Sequence, residues 1–196
     1  MLIYDKNKKK RRLTLGLDLD GTSGDFHASF RNVLIEHQGF DPDRIPVETP
    51  AIYSYTDAGC FPDRDTFTTA LHAATHQGVY YQMTPYEGLR ENILALTEEG
   101  IGIRVITSRP DDALDDTIGW LEDVAQIPYD TIFITDEKTK VEADFYLDDL
   151  PKHINNFRNA GKRAVIYNQP YNTDLDGERV SAWSEVPDTL LARITA

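Results

Sequence analysis

With a single cysteine, Cys60, the chain can build neither an internal disulfide framework nor a cysteine-based zinc site. Long apolar runs are also missing: none approaches the roughly 18 residues that a membrane span needs. The first twelve residues, MLIYDKNKKKRR, lack the apolar stretch and small-residue cleavage site of a secretory signal. A soluble protein of the cytoplasm, with no membrane partner, is therefore expected. Positive charge is scarce as well. Lys plus Arg number 20 against 33 Asp plus Glu, a formal net charge of −13, which argues against wrapping duplex nucleic acid through its phosphates. The one basic cluster, KNKKKRR, reads as part of a solvated N-terminal arm over residues 1–12. A chain of 196 residues suits one domain with a small inserted lobe.

What is present is a rhythm of short apolar runs, each closing on a polar residue. They are LTLGL before Asp18, IRVI before Thr107, TIFI before Thr135, DFYL before Asp148 and AVIY before Asn168. Between them, helical spacing links Phe26, Phe30, Val33 and Leu34, then Leu89, Ile93 and Leu96, then Leu114, Ile118 and Leu121, then Ile154 and Phe157. Gly39, Gly100 and Gly161 stand where helices end, and Pro151 suits a first helical turn. Strand alternating with helix predicts an α/β fold, a doubly wound, Rossmann-like parallel sheet. The rhythm breaks over residues 39–83, where prolines 42, 46, 50 and 62 punctuate a stretch dense in aromatics. This segment reads as a small helical cap, with one helix near DTFTTALHAATHQG, inserted into a core of 13–38 and 84–196.

In open α/β sheets ligands gather outside the carboxyl ends of the strands, where these polar residues lie. Asp18 and Asp20, two apart, face one side as the chain leaves its strand. One carboxylate can attack phosphorus and the other can shuttle a proton, with Gly21 allowing a tight turn beside the ligand. Asp148 and Asp149 repel each other unless a cation such as magnesium joins them, although an aspartate there also suits a helix N-cap. The hydroxyls of Thr107 and Ser108 can hold phosphate oxygens or cap a helix, and Lys138 can balance phosphoryl charge or lie on the surface.

In content and order these elements resemble the haloacid dehalogenase superfamily of aspartyl phosphotransferases. The resemblance places Asp18 on the nucleophile, Asp20 on the acid/base, Thr107 on the second motif, Lys138 on the third-motif lysine and Asp148 with Asp149 on the acidic fourth motif. Magnesium would then be held by Asp18, by the backbone carbonyl of Asp20 and by one or both of Asp148 and Asp149. Lys140 competes for the third-motif position. Lys138 is preferred because a Lys-Thr pair about ten residues before Asp-Asp looks like the deoxyribonucleotidase arrangement.

DLDGTSGDF, GVYYQMTPYEGL, FYLDDLP and YNQPYN narrow the resemblance to the 5′(3′)-deoxyribonucleotidases, over about Leu13 to Trp183. It implies hydrolysis of a deoxynucleoside monophosphate, with Phe26 lining the base pocket. Tyr80 and Tyr81, with Tyr53 and Tyr55 behind them, are the further stacking candidates, and Arg109 could reach a phosphate or a base edge. Two other readings share the same residues: a phosphatase of another small ester or of a nucleic acid 3′-phosphate end, and a non-catalytic phosphoacceptor module. The reading admits a homodimer.

Overall fold

The computed structural model of the protein describes residues 2–5 and 13–192. The sheet's middle strand, β2 (Leu13–Leu17), runs parallel to β5 (Ile101–Thr107) on one side and β7 (Phe145–Asp148) on the other. Beyond β5 lies β6 (Thr131–Ile134), and beyond β7 lie β8 (Ala164–Tyr167) and β9 (Arg179–Val180), all parallel. An antiparallel strand β1 (Leu2–Asp5) closes the β6 edge, so the order is β1-β6-β5-β2-β7-β8-β9. The expected α/β doubly wound sheet is present. Leu2–Asp5, read from sequence as part of a solvated arm, instead supply this edge strand, while the basic cluster itself lies outside the described residues.

Both faces of the sheet are covered, and the period of two decides which residue serves which face. Leu15, Leu17, Ile103, Val105, Phe145, Leu147 and Val165 point into one core with Leu89, Ile93 and Leu96 of α3 (Leu89–Glu98) and Leu190 of α6 (Val186–Leu191). Their neighbours Ile106, Tyr146, Ala164 and Ile166 point the other way, onto Ile154 and Phe157 of α5 (Pro151–Asn159). Gly39, Gly100 and Gly161 all have left-handed backbones, with φ of 70°, 86° and 69°, as the helix ends require. The segment carrying Leu114, Ile118 and Leu121 starts as α4 (Leu114–Gly119) and loosens into a π-turn at Trp120–Val124, where the Trp120 indole donates to the Met83 carbonyl at 2.5 Å.

Segment 39–83 contains one α-helix, α2 (Arg64–His76), and is otherwise mostly irregular. Its own cluster includes Ile45, Phe61, Ala70 and Ala74, and it also takes in Phe30, Val33 and Leu34 of α1 (Phe26–Gln38). By packing, therefore, α1 serves the cap rather than the core to which the sequence reading assigned it. A two-stranded ribbon, β3 (Gly24–Asp25) with β4 (Thr84–Pro85), ties the chain's entry into this lobe to its exit.

Gly16 sits in the middle strand because its neighbours fill the space: a Cβ there would lie 2.7 Å from Ile106 Cδ1 and 2.9 Å from Tyr146 Cδ1. Overpacking of this kind costs about 1–3 kcal/mol. Gly16→Val is therefore expected to lower the unfolding free energy measured in urea by about that amount, with a lower midpoint; an unchanged midpoint contradicts this packing.

Candidate active site

Because β5, β2 and β7 are neighbours, their carboxyl ends bring Thr107, Asp18 and Asp148 to one edge. Asp18 continues the ladder, its amide donating to the Leu147 carbonyl at 3.1 Å. The chain then folds tightly: the Leu19 carbonyl accepts from the amides of Thr22, Ser23 and Gly24, and the Ser23 hydroxyl donates to the Asp18 carbonyl at 2.6 Å. Gly21, with φ of 80°, is required here, since a Cβ would lie 2.7 Å from Asp149 Oδ2.

Lys138 stands on a single turn between β6 and β7 and is buried. Its ammonium Nζ lies 2.8 Å from Asp18 Oδ1 and 2.7 Å from Asp148 Oδ2. Lys140, the competing lysine, is exposed and paired with Glu137. Asp149 points beside this group, accepting from the Thr22 hydroxyl at 2.7 Å and from the Tyr171 hydroxyl. His153 Nδ1 approaches Asp148 Oδ2 at 3.2 Å.

Three buried carboxylates around one ammonium leave an excess of negative charge, and each acid responds according to its partners. Burial raises the Asp18 carboxyl; Lys138 opposes this only in part, and the pKa is pushed up to about 6. Burial raises Asp148 too, yet Lys138 and His153 outweigh it and hold this carboxyl below its usual value. Asp149 has no cation of its own, so burial and the charges of Asp18 and Asp148 drive it well above the carboxylate range. Burial disfavours the Lys138 ammonium, but Asp148 and Asp18 together keep it firmly charged. An oxygen-rich, overly acidic cluster of this kind suits a hard divalent cation. Ligand atoms of Asp18, Asp148 and His153 lie within 4.8 Å of one another.

Asp20 does not join that cluster through its side chain. Its carboxylate is gripped by Arg109, with Nη2 to Oδ1 at 2.6 Å and Nε to Oδ2 at 3.0 Å. Arg109, a candidate for reaching a phosphate or a base edge, is among the residues lining the cavity above this cluster; it is buried, bonded to the Thr117 hydroxyl at 3.1 Å and stacked 4.5 Å over the Tyr80 ring. Its guanidinium fixes the orientation of the Asp20 side chain. Thr107 is buried behind it, its hydroxyl accepting from the Arg109 amide at 3.3 Å, and Ser108 opens to solvent.

Above these groups lies a cavity of about 540 Å³, lined by Asp18, Asp20, Lys138 and Asp149 below and by Phe26, Tyr53, Tyr55 and Phe67 above. Phe26 stacks on Phe30 and Tyr80, and Tyr80 lines the cavity from within the cap cluster. Tyr81 is the misplaced candidate: it is exposed, its ring lies against Gly119, and it takes no part in the cavity. Sequence reasoning missed His153, Tyr171 and Gln169. Gln169 fixes the turn after Asp18, donating to the Gly21 carbonyl at 2.6 Å, and lies 2.9 Å from the Tyr86 hydroxyl. YNQPYN had drawn attention as a resemblance, without a contact to explain it.

The Asp149 environment has a measurable consequence. A carboxyl whose folded pKa lies above its unfolded one costs stability as pH rises through that window. In chelator at pH 7, Asp149→Asn is therefore expected to melt higher than the parent protein, by about 2–4 °C per kcal/mol of repulsion relieved. The gap should close on acidification, and magnesium should raise the parent's melting temperature more than the variant's. An Asn variant that melts lower at every pH contradicts this electrostatic picture.

The comparisons with known proteins agree with this geometry. The family model described as 5′ nucleotidase, deoxy (Pyrimidine), cytosolic type C protein matches residues 11–195. A Chlorobaculum tepidum protein, provisionally named a 5′(3′)-deoxyribonucleotidase, is 28% identical over 192 residues, covering 95% of this chain and 94% of its own. Among solved structures, a provisionally named phosphatase from Clostridium difficile superposes with a TM-score of 0.65 at 15% identity, over 93% of this chain and 100% of that one. A haloacid dehalogenase-like hydrolase from Streptococcus pneumoniae gives 0.62 at 13% identity, over 91% and 98%. At these identities the structural matches speak for the fold alone. With a family match spanning nearly its whole length, the chain belongs to the cytosolic type C 5′-deoxyribonucleotidase family and is a phosphoric monoester hydrolase of haloacid dehalogenase fold.

Proposed function

We propose that the protein is a magnesium-dependent phosphatase of the cytoplasm that converts (deoxy)nucleoside monophosphates to nucleoside and phosphate through an aspartyl-phosphate at Asp18. The observation that carries this reading is Asp18 itself: buried, 2.8 Å from the Lys138 ammonium, at the floor of a cavity whose upper wall is aromatic. The volume, about 540 Å³, is within the range of small-molecule sites. Rings such as Phe26 and Tyr53 offer a nucleobase a stacking surface.

In the first step an Asp18 carboxylate oxygen attacks phosphorus in line, and the bond from phosphorus to the sugar oxygen breaks. Asp20 gives its proton to that leaving oxygen. In the second step Asp20 takes a proton from water as the water oxygen attacks phosphorus; phosphate leaves and Asp18 returns to a carboxylate. Arg109 keeps the Asp20 carboxyl group in one orientation as it gives and regains its proton. Lys138, the Thr107 and Ser108 hydroxyls and the turn at Gly21 face the incoming phosphate from the cavity floor. Asp18, the backbone carbonyl of Asp20 and one or both of Asp148 and Asp149 would hold magnesium, which would supply the positive charge that lets a dianionic ester approach buried carboxylates.

The test is phosphate release with magnesium across deoxynucleoside monophosphates, ribonucleotides, sugar phosphates and a 3′-phosphorylated oligonucleotide. Deoxynucleoside monophosphates are expected to turn over fastest, activity should vanish in chelator, and Asp18→Asn should lose essentially all of it while keeping its fold. Preference for a sugar phosphate would overturn the substrate, and an active Asp18→Asn protein would overturn the chemistry.

A further inference from the structure

We propose that His72, His76 and Asp112 form a second cation site, for a divalent transition metal of the zinc type, that fastens the cap to the body of the protein. His72 and His76 are one turn apart on α2, their ring centroids 4.7 Å from each other, and Asp112 belongs to the loop that follows β5. His76 Nε2 already lies 3.7 Å from Asp112 Oδ2, and one ligand atom from each of the three residues lies within 4.8 Å of the other two. Ligand atoms around a tetrahedral zinc ion stand about 3.4 Å apart, so rotation of exposed side chains closes the remaining gap. None of the three residues lines the catalytic cavity, and the site does not depend on the reading of the substrate.

The backbone that carries these groups is held in place. Ala113, next to Asp112, is 1% exposed and packs in the cap's cluster with Ala70 and Ala74 of the same helix. Asp112 is thus anchored against α2, and a metal would find its ligands on two segments that already touch. Without a metal the contact is an exposed imidazole–carboxylate approach of 3.7 Å, which is worth little. The two cation sites also divide by chemistry: two imidazoles and one carboxylate suit zinc, nickel or copper, whereas the carboxylates at the catalytic edge suit magnesium. Three protein ligands leave a fourth position to solvent. Asp112 lies three residues beyond Arg109, which orients Asp20. A bound ion would accordingly tie α2 to the loop that sets the proton shuttle.

The experiment is zinc titration, by calorimetry, of the full chain in excess magnesium, with His72→Ala, His76→Ala and Asp112→Asn beside it. The parent protein is expected to bind one zinc ion that each variant binds about tenfold more weakly or loses. The variants should retain the parent's melting temperature and its magnesium-dependent phosphate release in the absence of zinc, which separates loss of ligands from loss of fold. Cobalt in place of zinc should give visible absorption bands that the variants lack. Zinc should slow amide hydrogen exchange along α2 in the parent alone. Equal zinc binding by the parent and all three variants, or no zinc bound in the presence of magnesium, would overturn the site; binding without added protection of α2 would overturn its role as a fastening.

Discussion

The Lys138 ammonium, shared between Asp18 and Asp148, is the interaction on which the rest of the site depends. Buried carboxylates are costly unless paired, and in this group of three the Lys138 ammonium pairs with two. Asp148 receives most of the benefit and stays ionised, Asp18 receives less, and Asp149 is left to neutral donors, Thr22 and Tyr171. The imbalance costs the metal-free protein stability and is what a divalent cation and its phosphate ligand would relieve. A surplus of negative charge at a sheet edge is thus a preorganised site for cations.

Topology explains why residues from 18 to 171 meet at all. β2 sits between β5 and β7, so the three strands that end on Asp18, Thr107 and Asp148 are adjacent, and the turns that follow carry Asp20, Arg109 and Asp149. This much is legible in the sequence, because short β-branched runs alternate with helical spacing and each run closes on a polar residue. The helix ends at Gly39, Gly100 and Gly161 are legible for the same local reason. The preference for Lys138 over Lys140 comes from the resemblance of its Lys-Thr pair; the burial of one and the exposure of the other depend on the direction of one short turn, which hydrophobic periodicity does not encode.

The cap was legible as an interruption and little more. Its prolines and aromatics announce irregular backbone, but no periodicity says that α1 packs with α2, or that Tyr80 turns inward while its neighbour Tyr81 turns out. The roles of Arg109 and Gln169 were hidden for a related reason. Arg109 finds Asp20 across 89 residues and Gln169 finds Gly21 across 148, so each assignment rests on tertiary contacts. An arginine beside a phosphate motif reads naturally as a ligand contact; the fold adds that it pairs with Asp20, with Tyr80 of the cap stacked beneath it. That contact links the cap, through Arg109, to the orientation of the Asp20 side chain.

The central claim is that Asp18 carries the phosphoryl group between substrate and water. The most direct measurement is rapid acid quench of the enzyme with a deoxynucleoside monophosphate and magnesium, followed by proteolysis and mass spectrometry of the segment LTLGLDLDGTSGDFHASFR. A transient phosphoryl group assigned by fragmentation to Asp18 is expected, appearing before free phosphate accumulates. A phosphoryl group on another residue, or steady phosphate release with no covalent enzyme species at any time, would contradict the account.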